Sequence, residues 1–534
     1  MSMYLLLAGT VIILCILLSR FAEKLPVPSL LIFIGLGMCF GVNGFLGIAF
    51  DDYRISEHIC SICLVFVMFY GGFGTNLQAA RPVAAQSILL STVGVVMTAA
   101  FLGCFIHFCL RLPWIESMLI GSVVSSTDAA SVFNILRSQK FDLKHNTASM
   151  LEMESGSNDP ISYMLTILMV SLLLGQDISV PLVLFKQIAF GLFFGVVLGK
   201  LGLYLLNRFS FYMEQGRAIF LFGIALLAFA LPSVLGGNGY LSVYLSGIIL
   251  GNGYIPQKKE QVHFFDAVTG IAQMMIFFLL GLLVTPVELS EVVLPALLIT
   301  LFLTLVARPA AVSAILLPFR APLAQIGLVS WSGLRGVASI VFAIYVVLNK
   351  VPMKYNLFNL VFCIVLFSMA IQGTFLPWVS KKLKMIDRHA EVSRTFNDYQ
   401  EDSDISFVKI HITERHALAY RKLKDFALAP DFLVALIIRK EGNIIPNGNT
   451  QLLPGDLLVV TAKTFEDRAN LSLYEMNIPK GHKWEKQSLQ EIEMLENSLI
   501  VAIQRKGKTL IPYGRTVIHQ EDTLVIAHFA KEEG

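Results

Sequence analysis

The sequence predicts a polytopic α-helical membrane protein of about 13 transmembrane helices with a cytoplasmic α+β tail, and three observations carry that prediction. The 534-residue chain is 55% hydrophobic and only 15% charged, with a mean hydropathy of +0.68, far too apolar for an ordinary soluble domain. Charge is spread unevenly: residues 1–388 hold 40 of the 79 charged side chains, and the last 146 residues hold the other 39. Apolar runs of about 20 residues, the length that crosses a hydrocarbon core, recur up to that boundary and not beyond it.

Reading those runs between charged or Pro/Gly breaks gives thirteen candidate spans, near 3–20, 28–48, 56–75, 83–109, 114–137, 148–174, 181–207, 217–232, 239–253, 269–287, 292–317, 323–348 and 357–380. The first lacks a basic leader and a small-residue cleavage site, so it reads as a span and not as a removed signal peptide. With thirteen spans, one alternating set of loops holds 15 Lys and Arg and the other holds five. That asymmetry places the N-terminus outside the cell membrane and the tail in the cytoplasm. Lys200, Arg308 and Arg335 fall within spans; Lys200 is near a helix end and can snorkel, whereas Arg308 and Arg335 need partners.

Neither the net charge of +3 nor the basic-residue pattern suggests a nucleic-acid partner. The seven cysteines lie in or beside apolar stretches, and the Cys60/Cys63 pair reads as packed thiols more readily than as a metal site.

A weak echo links "VPSLLIFIGLGMCFG" (27–41) with "GYLSVYLSGIILGNG" (239–253), seven spans later. An odd offset makes the two halves inverted repeats, the layout in which secondary transporters place a site at the midplane between discontinuous helices. The intramembrane polar residues fit it. Span five holds "SSTDAAS" (125–131), span six "ESGSNDP" (154–160) and span twelve "SGLRGVAS" (332–339), each roughly 10–15 residues from a helix end and so at mid-membrane depth. Charges there are expensive and must face a cavity or each other.

On span six, Glu154 and Asn158 share one helix face, and Ser155 and Asp159 share the next. Arg335 needs a carboxylate, and Glu154 with Asn158 beside it is the expected partner. Asp159, with Ser155 and Asp128, is then free to bind. Taking a carboxylate out of water favours its neutral forms, so a proton and a small cation compete for it, and that competition is the basis of antiport. Arg308 and Glu152 read as structural or close to the interface.

"TDAAS", "ESGSNDP" and "GLRGVAS", in this order and on these spans, resemble the NhaP-type monovalent cation:proton antiporters of the first cation:proton antiporter family. The resemblance covers about residues 1–385. It implies a homodimer in membrane lipid, two crossed broken helices, and elevator-like alternating access. Residue by residue, it makes Asp159 the carboxylate that holds a monovalent cation or a proton, assisted by Asp128, Ser155 and the Thr127 carbonyl. Glu154, Asn158 and Arg335 become a neighbouring structural and modulatory triad. Asn158 stands beside Asp159 where an electrogenic group has two aspartates, which fits electroneutral exchange of K+ or Na+ for H+. The third span ends "FYGGFGTNL" (69–77), without the acid that many relatives carry there, a departure that bears on cation choice and access route.

Beyond a linker at 386–404, residues 432–460 and 498–526 align without a gap at an offset of 66, bringing together Arg439/Arg505, Lys440/Lys506, Pro446/Pro512, Gly448/Gly514 and Asp456/Asp522. Two small domains, 405–470 and 471–534, follow. Each reads as short strands between Gly, Pro and Asp turns after a segment able to carry a helix. Both resemble the C-terminal subdomain of RCK/TrkA regulators of potassium transport. That resemblance implies regulation by dimerisation, with or without a small anionic ligand such as cyclic di-AMP or another nucleotide, for which Arg439, Lys440, Arg505 and Lys506 are candidates. With no G-x-G-x-x-G in the tail, no NAD or other cofactor is expected.

The favoured expectation is a proton-coupled exporter of K+ or Na+, not an enzyme; no HExxH is present. A tail-gated cation channel is the alternative, but it would want a filter repeated by symmetry, and no TVGYG-like stretch occurs. An intramembrane aspartyl protease built on the span-five and span-six aspartates is disfavoured by the mid-membrane Arg335.

Overall fold

The computed structural model describes residues 9–18, 29–41, 47, 48, 50, 52–138, 142–177, 179–208, 214–255, 258–387, 405–412, 414, 418–425, 433–439, 442–444, 446–463, 471–479, 482–492, 498–505, 508–510 and 512–529. The chain divides into two units, Met1–Glu401 and Asp402–Gly534.

The first unit is helical. Its described helices are α1 (Gly9–Leu18), α2 (Ser29–Phe40), α3 (Tyr53–Gly74), α4 (Arg81–Leu110), α5 (Trp114–Val124), α6 (Ala129–Ser138), α7 (Thr147–Leu173), α8 (Val180–Arg208), α9 (Glu214–Val234), α10 (Gly239–Asn252), α11 (Lys258–Leu283), α12 (Glu288–Leu316), α13 (Leu323–Trp331), α14 (Val337–Leu348) and α15 (Leu357–Lys382). Among the described residues, seven helices are long and apolar enough to cross a membrane. Their starts are fixed locally: the side chains of Asp52, Asn238 and Asn356 accept backbone N–H groups in the first turns of α3, α10 and α15. Large apolar side chains such as Phe108, Phe185, Tyr204, Leu294 and Leu305 lie exposed on the outside, as a lipid-facing surface requires.

Glycine decides which helices approach most closely. A side chain at Gly72, Gly247 or Gly251 would run into the facing backbone of α3 or α10, and one at Gly37 or Gly281 into that of α2 or α11. Without a hydrophobic drive between helices in lipid, such close backbone contact supplies the packing energy.

Three helices carry a short π-helical stretch, at Leu90–Gly94 in α4, Leu303–Ala307 in α12 and Ser368–Gly373 in α15. One span breaks between α5 and α6 at residues 125–128, and another breaks between α13 and α14 at 332–336. The expected interruptions in "SSTDAAS" and "SGLRGVAS" are therefore present as unwound backbone. A two-residue ladder, β1 (Asp142–Leu143) with β2 (Ile386–Asp387), ties the end of the membrane unit to the α6–α7 connection.

The second unit holds two four-stranded antiparallel sheets. The first is β3 (Ile405–His411), β4 (Leu433–Arg439), β5 (Gly442–Ile444) and β6 (Leu457–Lys463), in the order β3-β6-β4-β5. The second is β7 (Leu471–Asn477), β8 (Ser498–Arg505), β9 (Lys508–Leu510) and β10 (Thr523–Phe529), in the order β7-β10-β8-β9. The orders match, and so do the bulges where β4 meets β6 and β8 meets β10. The bulge places the buried residues three apart, Val434 and Ile437 in one copy and Ile500 and Ile503 in the other, and each sheet has its own small core. An α+β tail was expected. Among the described residues each copy is instead all β with one 3-10 turn, Leu423–Asp425 or Leu489–Glu491.

Candidate functional site

The two breaks meet each other and α7. Backbone freed from a helix inside a membrane must find partners within the protein. Asp128 N–H donates to the Leu334 carbonyl at 2.8 Å, joining one break to the other. Arg335 Nη1 donates to the carbonyls of Ser125 at 2.8 Å and Ser126 at 2.6 Å. The Thr127 carbonyl accepts the Ser155 hydroxyl at 2.7 Å, and the Ser122 carbonyl accepts Ser162 at 2.6 Å. Arg335 N–H donates to Ser368 Oγ at 3.1 Å, and that hydroxyl bonds Gln372 at 2.6 Å, so the π stretch of α15 braces the second break. Gly336 is required: a Cβ there would collide with the Asp128 carboxylate.

Asp159 is 9% exposed, and its carboxylate accepts the Ser126 hydroxyl. It lines a cavity of about 300 Å3 together with Ser126, Thr127, Asp128, Ser155 and Gly336. Asp159, Asp128, Ser155 and Thr127 are thus brought to one place, as the sequence expects. Each helper also has a structural task. Asp128 caps α6 by accepting Ser131 N–H at 3.2 Å and Ser131 Oγ at 2.6 Å. Asn158 donates its amide to Thr127 Oγ1, leaving its own buried Oδ1 without a hydrogen bond.

Asp159 sits between the cavity and an aromatic cluster. Toward the start of α7, Ser155, Gly156 and Glu152 face the cavity. One turn the other way, Tyr163 packs against Tyr240 at 4.9 Å, Phe342 at 5.4 Å and Tyr345 at 6.1 Å between ring centroids.

The expected Glu154–Arg335 pair does not form. Glu154 pairs instead with Arg308 of α12 at 2.6 Å, both side chains being almost fully buried. Arg308, expected to be structural or close to the interface, has a structural partner; it follows the π stretch of α12 and packs beside Gly333 in the second break. Arg335 is held instead by the two broken-helix carbonyls, both of which accept from its single Nη1 nitrogen.

The profile of the family described as "Sodium/hydrogen exchanger, transmembrane" matches residues 9–382. The chain belongs to the sodium/hydrogen exchanger family. It is 32% identical over 466 residues to the K(+)/H(+) antiporter NhaP2 of Shewanella sp. (strain ANA-3), covering 85% of this chain and 81% of that one. It is 35% identical over 391 residues to the K(+)/H(+) antiporter NhaP of Alkalimonas amylolytica, covering 72% and 67%. The fold is also that of the sodium proton antiporter MjNhaP1 from Methanocaldococcus jannaschii at pH 8, with a TM-score of 0.65 at 23% identity over 72% of this chain and 99% of that one. A TrkA-C domain matches residues 407–464, the first of the two tail repeats.

In this exchanger's tail the repeated arginines are not free for a ligand. Arg439 donates Nε and Nη2 to the two oxygens of Asp456, each at 2.7 Å, and Nη2 also donates to the Gln451 carbonyl at 3.0 Å. Arg505 repeats this on Asp522 at 2.8 and 2.6 Å and on the Val517 carbonyl at 2.7 Å. The hydrogen bond from Arg439 holds the Asp456 carboxyl below its usual range; burial pushes the Asp522 carboxyl up, but Arg505 and the His519 N–H outweigh it. Lys440 and Lys506 lie outside the described residues.

The exchanger's cavity contains residues the sequence reading passed over. Asp266, Thr269, Gly270 and Gln273 of α11 line it. Span ten was expected to begin at 269, but α11 begins at Lys258, so Asp266 is inside the helix and not in a loop. The signal was available as the i, i+3, i+4, i+7 spacing of those four residues.

Proposed function

We propose that this chain is a monovalent cation/proton antiporter of the cell membrane that exchanges K+ or Na+ for H+, exports the cation, and is regulated by a cytoplasmic tail. The observation that carries it is Asp159, a buried carboxylate lining a cavity where two broken helices meet and with which no described Lys or Arg is paired. Such a group holds a proton or a dehydrated cation but not both, so alternating exposure to the two sides couples their movements. Serine, threonine and backbone oxygens around it suit a hard cation. One titrating carboxylate beside Asn158 supports one-for-one, electroneutral exchange.

Thirteen spans with inverted repeats and crossing broken helices agree with the helix pairing. An offset of seven maps span three onto ten and two onto nine; the glycine-mediated contacts pair three with nine and two with ten, which the same operation interchanges. The π stretches of α4 and α12, in spans four and eleven, obey the same offset. The loop charges support a cytoplasmic tail, and membership of the family supports a homodimer in lipid. K+ leads over Na+ because the relatives at 32% and 35% identity are named for it and the tail matches TrkA-C.

Proton flux in proteoliposomes with an imposed proton gradient and a pH dye tests the reading. Addition of K+ or Na+ is expected to drive proton movement in the wild type and none in Asp159→Asn. Cation-driven proton movement that survives in Asp159→Asn would remove Asp159 from the mechanism.

A further inference from the structure

The α11 wall of the cavity holds a second set of oxygen ligands. Asp266, Thr269, Gly270 and Gln273 share one helix face, and all four line the same cavity as Asp159. Asp266 accepts the Tyr70 hydroxyl at 3.0 Å, which fixes the carboxylate while occupying only one of its oxygens. The third span has no acid beside its glycines, and Asp266 brings one to that place from another helix.

Thr269 is the second observation. Its side chain is 7% exposed, yet its hydroxyl has no hydrogen-bond partner. Elsewhere in these helices buried threonines satisfy themselves on the carbonyl four residues back: Thr166 on Ser162, Thr300 on Ala296 and Thr304 on Thr300, each at 2.8 Å. Thr269 forgoes that bond, one turn from a carboxylate that no described Lys or Arg pairs with. A carboxylate and a hydroxyl at i and i+3, with no ammonium or guanidinium between them, form a site for a hard cation and not for an anion.

We propose that Asp266 and Thr269 form an access site where the transported monovalent cation, still partly hydrated, binds before it reaches Asp159. This rests on the antiport reading and adds to it a residue set that sets apparent affinity. Lys258 at the start of α11, the end of α3 at Tyr70 and the start of α7 at Glu152 all fall on the side where the loop charges place the cytoplasm, so the access site guards the inner mouth. A fixed negative charge in a low-dielectric mouth concentrates cations locally, and that effect shows in KM and not in the turnover of a loaded carrier.

The test is a titration of proton movement against K+ and Na+ in proteoliposomes bearing wild type, Asp266→Asn, Asp266→Glu or Thr269→Val. Asp266→Asn should raise the cation KM about tenfold with the maximal rate within about twofold of wild type, and Asp266→Glu should recover most of the affinity. Thr269→Val removes a hydroxyl that bonds nothing in the protein, so its melting temperature should not fall, yet its KM should rise about threefold. A wild-type KM in both Asp266→Asn and Thr269→Val, or a loss confined to maximal rate, overturns the proposal and leaves antiport through Asp159 standing. A wild type with no cation-driven proton movement takes down both.

Discussion

Four arginines hold the two units together internally, and the membrane pair and the tail pair do it by different rules. In the tail, Arg439 and Arg505 meet Asp456 and Asp522 fork to fork, seventeen residues along the chain in both copies. In the membrane, Arg308 takes Glu154 from another helix, while Arg335 contacts backbone carbonyls and no carboxylate directly. A part-buried arginine in a small sheet finds the acid at the start of the strand beside its own. A fully buried one goes to whatever polar group is most expensive to leave unpaired, and a broken helix offers carbonyls of that kind.

The buried pair is where that difference should cost most. Removing one partner of a buried ion pair leaves an uncompensated charge, so Glu154→Ala or Arg308→Met alone should destabilise the solubilised protein by about 3–5 kcal/mol. The double substitution should cost less than the sum. Thermal unfolding of the four proteins measures the coupling. If Glu154 couples more strongly to Arg335 than to Arg308 in the corresponding cycles, the membrane rule stated above is wrong.

Arg335→Met should come next. It strands the Ser125 and Ser126 carbonyls, at about 1–3 kcal/mol each, and loosens the break that carries Ser126 to Asp159. Loss of stability and of cation-driven proton flux together is the expected outcome. Arg335→Lys should recover much of the stability, because both carbonyls accept from the one nitrogen Nη1 and an ammonium can also donate to two acceptors from one nitrogen. No recovery with Lys would mean that the shape of the guanidinium, and not its charge and donors, holds the break.

The sequence disclosed the cluster and concealed its wiring. Hydropathy located the helices, because twenty apolar residues have few other fates, and the small polar runs at 125–131 and 332–339 announced broken helices for the same reason. Asp159 stood out as an acid with no evident structural reason to be buried. Which arginine would meet Glu154 was not legible: Arg308 and Arg335 both lie in apolar spans, and only the tertiary approach of α12 to α7 separates them. Asp266 was lost through its own charge, which moved the expected start of span ten past it. In the tail the offset of 66 revealed the duplication, but Arg439 and Asp456 coincide with Arg505 and Asp522 whether they bind a ligand or each other. The strand pairing that carries Arg439 toward Asp456 decides it.

The tail staples give the smallest effect and the most direct check on the comparison, because nature has supplied each in duplicate. Asp456 and Asp522 are 1% and 0% exposed, and each also accepts a backbone N–H, from Leu453 or His519 at 2.8 Å. Asp456→Asn should open its own sheet, β3-β6-β4-β5, by about 2 kcal/mol and leave β7-β10-β8-β9 protected; Asp522→Asn should do the reverse. Hydrogen–deuterium exchange resolved to β6 and β10 reads this out in the full-length protein. Both carboxyls sit below the usual aspartate range in the folded state, so their stabilisation is complete above about pH 4, the unfolded value, and is lost as the pH falls further through the folded one. Acid should therefore loosen both sheets of the wild type, and each Asn variant should lose part of that acid sensitivity in its own copy alone. If one substitution loosens both copies equally, the repeats are one cooperative unit, and the rule that each tail arginine serves only its own sheet fails.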